Sequence, residues 1–402
     1  MTRSQSLPSH RRLDYHYIAM QLGFWAMFAA VCGYQAALLL ARGFSNTDVG
    51  AVIAVRCLAG IFCQPLLGGF ADRHPQVPLK LIVTASLGLS FAAGLLFINL
   101  PMDLAGTLAV FAVIGGFEVS AYPLMDSMAV QYINAGVPIR YSLGRGLGSM
   151  SYAVTCVLLG LQVGRLGVES TLVTHAALVA LEMLLVISYP AFRAGPAPEG
   201  EERPRPQSAF SLLRSRPRFT CMLAGILLGL TGFLPMSNFL VNVVVSRGGD
   251  DAGLGLVLFV MAGFELPAAF VFQRLMRRLG SARLLVMSMA FVAMKGAALL
   301  LSFNYATVLL CQPLQMLGYG LFTPASVFFV NESVPPADRV RGQSLMMVAS
   351  NGLGGVLGSF VAGRALDAGG ANLMLALCTG FALAGTGLCA LALRAAPERG
   401  QN

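Results

Sequence analysis

Residues 79–99 read LKLIVTASLGLSFAAGLLFIN, a stretch whose one ionisable side chain is Lys80, at its edge. Crossing the ~30 Å hydrocarbon core of a bilayer takes about 20 apolar residues at about 1.5 Å rise each. A single helix satisfies all of its own backbone polar groups in that solvent, where no water is available to do so. The stretch therefore predicts one membrane-crossing helix. The same pattern recurs before it at 17–41 and 48–71, and after it at 104–131, 143–164 and 168–190. A second six follows at 219–245, 253–274, 282–302, 305–330, 340–366 and 371–394. Twelve spans use nearly all of the 402 residues and leave little chain for a water-soluble domain.

Composition agrees with this reading. Hydrophobic residues make up 56% of the chain and charged residues 11%, against about 25% charged in a soluble domain. The mean hydropathy is +0.72. A net charge of +9 invites a nucleic-acid partner, but the basic residues sit in short clusters between apolar runs, where membrane topology accounts for them, so none is expected. The eight cysteines, from Cys32 to Cys389, lie within apolar runs and have no ligand spacing. They read as packing residues, and no metal or cofactor is expected. Arg3, Arg11 and Arg12 precede the first run as in a signal peptide, but the run is too long and lacks a cleavage site, so it is read as an uncleaved first helix. With a cytoplasmic N-terminus, about twenty Lys and Arg fall inside and about four outside, namely Arg42, Arg165, Arg247 and Arg364. Both termini are then cytoplasmic.

The one long polar stretch, 193–218, contains Gly195-Pro196-Ala197-Pro198 and Arg203-Pro204-Arg205-Pro206 and reads as a cytoplasmic linker, with a short amphipathic piece at Phe210 to Leu213. It divides the chain into 1–192 and 219–402. Tyr132-Ile133-Asn134 followed by Val137-Pro138 returns as Phe329-Val330-Asn331 followed by Val334-Pro335, an offset of 197 residues. Each block closes the fourth span of its half, as parallel repeats require.

Ionisable residues inside apolar spans cost about 2.5–3.5 kcal/mol each on insertion scales, which makes each a functional candidate and pairing its structural alternative. The basic ones are Arg56, Arg145 and Lys295, and the acidic ones Glu118, Asp126 and Glu265. Glu118, Tyr122 and Asp126 recur at i, i+4 and i+8, which predicts one helical face directed into a hydrated cavity. Asn238 with Asn242, and Gln312 with Gln315, stand at helical spacing, suited either to substrate or to helix association.

Gly68-Gly69-Phe70-Ala71-Asp72-Arg73, with Lys80 shortly after, resembles the signature loop between the second and third helices of the major facilitator superfamily. His74-Pro75 departs from that signature, and the matching loop of the second half, 274–283, has no Asp. Within the superfamily the chain is similar to the group holding the bacterial lactose/proton permease and the phenylpropionate transporter. That likeness is carried by Phe62-Cys63-Gln64-Pro65-Leu66, Pro123-Leu124-Met125-Asp126, Gly144-Arg145-Gly146-Leu147-Gly148 with Tyr152, Gly263-Phe264-Glu265, Lys295 and Leu314-Gln315-Met316.

The resemblance implies an all-α integral membrane fold of twelve helices in two pseudo-symmetric six-helix bundles. It implies a monomeric secondary carrier in a bacterial inner membrane, working by alternating access. Gly68, Asp72 and Arg73 become a conformational latch. Asp126 and Arg145 match a sugar-binding carboxylate and Arg, with a salt bridge between helices as the alternative, and Tyr152 takes the place of the ring that stacks on sugar. Tyr122, Asn238 and Gln315 join this substrate set, and Arg56 resembles the phenylpropionate transporter. Glu265 and Lys295 match a charge pair, and Glu118 or Glu265 are the candidates for proton coupling. Span ten departs from the pattern: Gln312, Gln315 and Gly318 stand where titratable groups are expected, and a Gln carries no proton near neutral pH.

The expected function is proton-coupled uptake of a sugar-like or nucleoside-like solute. The alternatives are import of an aromatic or small carboxylate, uncoupled facilitation, export, or solute sensing without transport. No P-loop and no metalloenzyme motif is present in the sequence, so an ATP-driven pump and a membrane enzyme are not expected.

Overall fold

A computed structural model describes residues 10–192 and 208–394. Most of the linker, 193–207, lies outside the described residues, as does Arg3. Every regular element among the described residues is a helix. Ten stretches are long and apolar enough to cross a membrane. Large apolar side chains such as Phe270, 87% exposed, and Leu310, 77% exposed, point outward. A protein in water would bury such groups, whereas in lipid their exposure costs nothing.

The expected spans are found with informative differences. Leu79–Asn99 is a helix over the whole expected range, followed by Leu104–Asn134, Tyr141–Leu166 and Ser170–Ser188. The first helix starts at His10 rather than near residue 17 and carries Arg11 and Arg12 in its first turn, where long basic side chains reach polar surroundings. It runs to Phe28, widens into a π-turn at Ala29–Gly33 and resumes as Gln35–Ala41. The expected span at 253–274 is two helices, Asp251–Gly263 and Glu265–Leu279. The span at 305–330 is broken into Tyr305–Cys311, a 3-10 turn at Gln312–Gln315 and Tyr319–Ser333. Pro313 has no amide hydrogen to give the helix ladder there. A 59-residue helical stretch, Pro336–Arg394, is interrupted at Gly369 and Gly370. Gly370 has φ 69°, a left-handed conformation that favours glycine. Beyond the linker, Ala209–Ser215 forms a short helix with Leu212 buried.

The described chain falls into two compact units. One holds 10–34 with 58–192, the other 35–57 with 208–394. Residues 35–57 precede the linker by far in sequence, yet pack within the second unit. The first core gathers Tyr17, Phe24, Met125, Tyr132 and Val179, and the second Phe219, Phe233, Met289, Phe329 and Ala382. In the second unit the Asp367 carboxylate caps the start of helix Asn46–Arg73. Its Oδ1 accepts from the Asn46 backbone N–H at 3.1 Å and side-chain amide at 2.9 Å, and its Oδ2 from the Thr47 N–H at 2.8 Å and hydroxyl at 2.6 Å. A cap of this kind is worth about 0.5–2 kcal/mol.

Candidate functional site

In the first unit three helices converge on one carboxylate. Tyr17 and Gln21 stand one turn apart on His10–Phe28, and Tyr141 and Arg145 one turn apart on Tyr141–Leu166. Close approach of these two helices depends on Gly144 and Gly148. A Cβ at Gly144 would lie 2.7 Å from the Tyr17 ring, and one at Gly148 would collide with the Trp25 indole. Between them lies Asp126 of Leu104–Asn134. Its Oδ1 accepts from the Tyr17 hydroxyl at 2.9 Å and Gln21 Nε2 at 2.8 Å. Its Oδ2 accepts from the Tyr141 hydroxyl at 2.9 Å and Arg145 Nη1 at 3.2 Å. A carboxylate has about four lone-pair positions, and all four are taken.

Arg145 is in the opposite condition. Its Nη1 bond to Asp126 is its only side-chain hydrogen bond among the described residues, and its side chain is 38% exposed. The guanidinium carbon stands 5.0 Å over the Tyr122 ring. Trp25 meets Tyr122 edge-on at 5.4 Å and Tyr152 at 6.4 Å. The Trp25 indole N–H and the Tyr122 hydroxyl are buried with no hydrogen-bond partner among the described residues. A fork of unsatisfied donors therefore stands beside a cluster of aromatic rings. Tyr17, Gln21 and Tyr141 escaped sequence reading because their common partner is remote along the chain. Their one local signal is the one-turn spacing within each helix.

Glu118 does not share the Asp126 face, contrary to the sequence expectation. Residues eight apart on a 3.6-residue helix differ in direction by about 80°. Pro123, inside the unbroken helix between them, takes one backbone donor out of its ladder. Glu118 turns to helices Leu79–Asn99 and Ser170–Ser188. There Ser90 Oγ donates to its Oε1 at 2.5 Å, and His175 Nε2 lies 2.8 Å from the same oxygen.

In the second unit Lys295 and Glu265 are joined through a third residue instead of touching. Lys295 Nζ donates to Gln315 Oε1 at 2.8 Å, and Gln315 Nε2 donates to Glu265 Oε1 at 2.7 Å. Lys295 is 1% exposed, with Nζ 5.6 Å from the Phe233 ring centre. Both breaks in the expected spans fall at this network: Glu265 opens its helix and Gln315 closes the 3-10 turn. Gln312 is buried and donates to the Val308 carbonyl. Asn238 donates to Ser359 Oγ at 3.3 Å, and Asn242 to Asn46 Oδ1 at 2.6 Å. Arg56 is buried in the same unit.

Gly68 and Asp72, with Gln64, Lys80, Pro123 and Phe192, line a cleft of about 470 Å³ at the end of helix Asn46–Arg73. Asp72 and Arg73 are exposed, and neither makes an ion pair among the described residues. Lys80 instead donates to the Ile187 carbonyl at 3.0 Å. A Cβ at Gly68 or Gly69 would meet nothing within 4 Å, so neither glycine sits at a close helix contact.

The chain is 24% identical over 370 residues to a maltose permease of Geobacillus stearothermophilus, covering 90% of each. It is 22% identical over 332 residues to the uncharacterized transporter YwbF of Bacillus subtilis (strain 168), covering 80% of this chain and 79% of the other. The crystal structure of a variant of nucleoside transporter NupG superposes with a TM-score of 0.82 at 16% identity, over 95% of this chain and 99% of that one. The POT family transporter PepTSo gives a TM-score of 0.77 at 11% identity, over 96% and 98%. At such identities the likeness is one of fold. The MFS_1 like family matches residues 13–376. With its all-helical apolar architecture, this chain belongs to that family, a transporter of the major facilitator superfamily.

Proposed function

We propose that the protein is a secondary carrier that imports a sugar-like or nucleoside-like solute with protons, by alternating access. The observation that carries this reading is the contrast between Asp126 and Arg145. Asp126 has no free acceptor position, while Arg145 keeps unused N–H donors beside the faces of Tyr122 and Trp25. Such a site suits a ring bearing acceptor oxygens, as sugar hydroxyls or nucleobase carbonyls supply. Hydrogen bonds from a charged donor contribute about 1.5–3 kcal/mol each. Aromatic contact adds about 0.5–1.5 kcal/mol. Arg145 thus becomes the direct substrate ligand, Asp126 holds it in place, and Tyr122, Tyr152 and Trp25 flank the ring. Likeness to a maltose permease and to a nucleoside-transporter fold supports the solute class.

In the second unit Lys295, Gln315 and Glu265 form a charge relay, and Asn238, which donates to Ser359 Oγ, joins the substrate set. Gly68, Asp72 and Arg73 serve as a latch in a state other than the one described. Dividing Pro336–Arg394 at Gly369–Gly370 and counting Asp251–Leu279 as one span brings the ten stretches to twelve, with 1–192 and 219–402 as the two bundles. The basic cytoplasmic loops support an inner-membrane location with both termini inside.

A second reading is an aromatic or small carboxylate, favoured by the same unused guanidinium fork, which binds carboxylate bidentately. Uptake of labelled maltose, uridine and phenylpropionate into proteoliposomes, with and without an inward proton gradient, tests both. Gradient-driven accumulation of maltose or uridine supports the first reading, and that of phenylpropionate alone supports the second. Binding without flux into the vesicles sinks the carrier.

A further inference from the structure

The helix Leu104–Asn134 holds a second polar centre, eight residues before Asp126 and about 12 Å away along the axis. Ser90, Glu118 and His175 come from three different helices and are 0%, 1% and 1% exposed. Glu118 Oε1 receives the Ser90 hydroxyl and faces His175 Nε2, and Glu118 makes no other hydrogen bond among the described residues. On the far side of the imidazole, Nδ1 faces Gly94, where a built Cβ would still be 3.8 Å away. No other titratable group hydrogen-bonds to this centre among the described residues. Glu182 stands two turns beyond His175 on Ser170–Ser188, its carboxyl buried and without a hydrogen-bond partner among the described residues. Leu104–Asn134 adds Tyr122 and Asp126, and Cys63 of Asn46–Arg73 faces Gly116. Lys80, at the start of Leu79–Asn99, is committed to the Ile187 carbonyl.

We propose that Glu118 and His175, supported by Ser90, form the site that binds and releases the coupling proton. This rests on the carrier reading above and names the groups that move the proton, at a place remote from span ten. Charge balance motivates it. With neutral imidazole donating its Nε2–H to the carboxylate, the pair carries one negative charge. A proton taken from hydronium onto Nδ1 makes an imidazolium–carboxylate pair with no net charge, and water is released. An uncompensated charge amid apolar helices costs about 2.5–3.5 kcal/mol even on permissive scales. Moving that proton out of the buried pair requires water to reach it. Hydration of the pair in turn requires helices to move, which ties proton release to conformation.

Two features connect this site to Arg145. Pro123, between Glu118 and Asp126, removes a backbone donor and provides a bending point in their shared helix. Tyr122, whose hydroxyl has no partner among the described residues, lies between the two carboxylates along the helix and under the guanidinium. A buried ionisable pair is a weak source of stability, since apolar side chains of the same volume usually do as well or better. Stability alone therefore does not account for this one.

The test uses full-length protein in proteoliposomes, with labelled maltose and uridine, comparing gradient-driven accumulation with counterflow in the absence of a gradient. One pH unit supports about tenfold accumulation at one proton per solute. Glu118→Gln and His175→Gln are each expected to lower the ratio of accumulation to counterflow about tenfold. A wild-type ratio in both variants overturns the proposal, as does a parallel loss of both activities in variants that remain folded by melting and size-exclusion chromatography. Should either variant fail to fold, Ser90→Ala, which removes a single hydroxyl, is expected to lower the ratio about threefold, and an unchanged ratio overturns the proposal. Should the wild type carry neither probe, the solute class is wrong, and the proton site is judged by nitrogen-15 NMR of the histidines. There are four histidines in the chain, and His175→Gln identifies the signal. A His175 protonation step that changes in Glu118→Gln supports the site. A His175 signal indifferent to pH and to Glu118 overturns it.

Discussion

Arg145 Nη1 makes the longest of four hydrogen bonds to the Asp126 carboxylate, 3.2 Å against 2.8–2.9 Å for Gln21, Tyr17 and Tyr141. The three shorter bonds hold the carboxylate, and the carboxylate in turn orients the arginine. Arg145→Lys keeps the charge and loses the planar fork, so the KM of the transported solute is expected to rise about tenfold or more. Tyr141→Phe leaves Asp126 three donors and should cost about 1 kcal/mol of stability with a smaller effect on KM. Thermal melts and uptake kinetics on the two variants separate binding from support. An unchanged KM in Arg145→Lys rules out a direct contact with substrate.

The glycines of Tyr141–Leu166 make a contrast within one turn. Gly144→Ala drives a methyl group into the Tyr17 ring, with an expected loss of about 1–3 kcal/mol. At Gly146 nothing lies within 4 Å of a Cβ, so Gly146→Ala is expected to be neutral or to gain up to about 1 kcal/mol from helix propensity. Melting of the purified variants checks the order.

Gln315 separates two opposite charges that would otherwise each lack a partner. Gln315→Leu leaves Lys295 Nζ buried without an acceptor, and a loss of about 3–5 kcal/mol is expected. Adding Lys295→Met and Glu265→Gln to it removes both charges and should recover most of that stability. Thermal denaturation of the single and triple variants is the measurement, and a triple variant no more stable than Gln315→Leu contradicts the account.

Asp367→Ala removes all four bonds at the start of helix Asn46–Arg73 and should cost about 1–2 kcal/mol. Asp367→Asn keeps acceptor capacity on one oxygen only and should fall between. Melts of the two variants rank them against wild type.

The membrane helices were legible in sequence because the signal is cumulative. In Leu79–Asn99 some twenty apolar residues all argue for the same element, and the helix fills the expected range. Breaks were not legible. Pro313, Gly318 and the Phe264–Glu265 junction each amount to one or two residues within an apolar run, which a span-length average reads through. Asp126 and Arg145 do meet, as their charges in an apolar setting suggested. The other Asp126 ligands depend on helix rotation and on which helices are neighbours, and so does the turn of Glu118 toward His175, which the i, i+4, i+8 spacing obscured. Rotation is fixed by packing at glycines such as Gly144 and Gly148, and a single sequence does not encode it locally.

The amide of Gln315 presents its oxygen to an ammonium and its nitrogen to a carboxylate. A primary amide has two unlike ends, and a half-turn about its last bond exchanges them. The residue between the two charges is thus a reversible adapter that fits either polarity. For an inverted pair, with Lys295→Glu and Glu265→Lys together, the same half-turn would again offer an oxygen to the ammonium and a nitrogen to the carboxylate. The second unit is therefore expected to tolerate charge inversion here better than a directly touching buried pair would, which thermal melts of the double variant check.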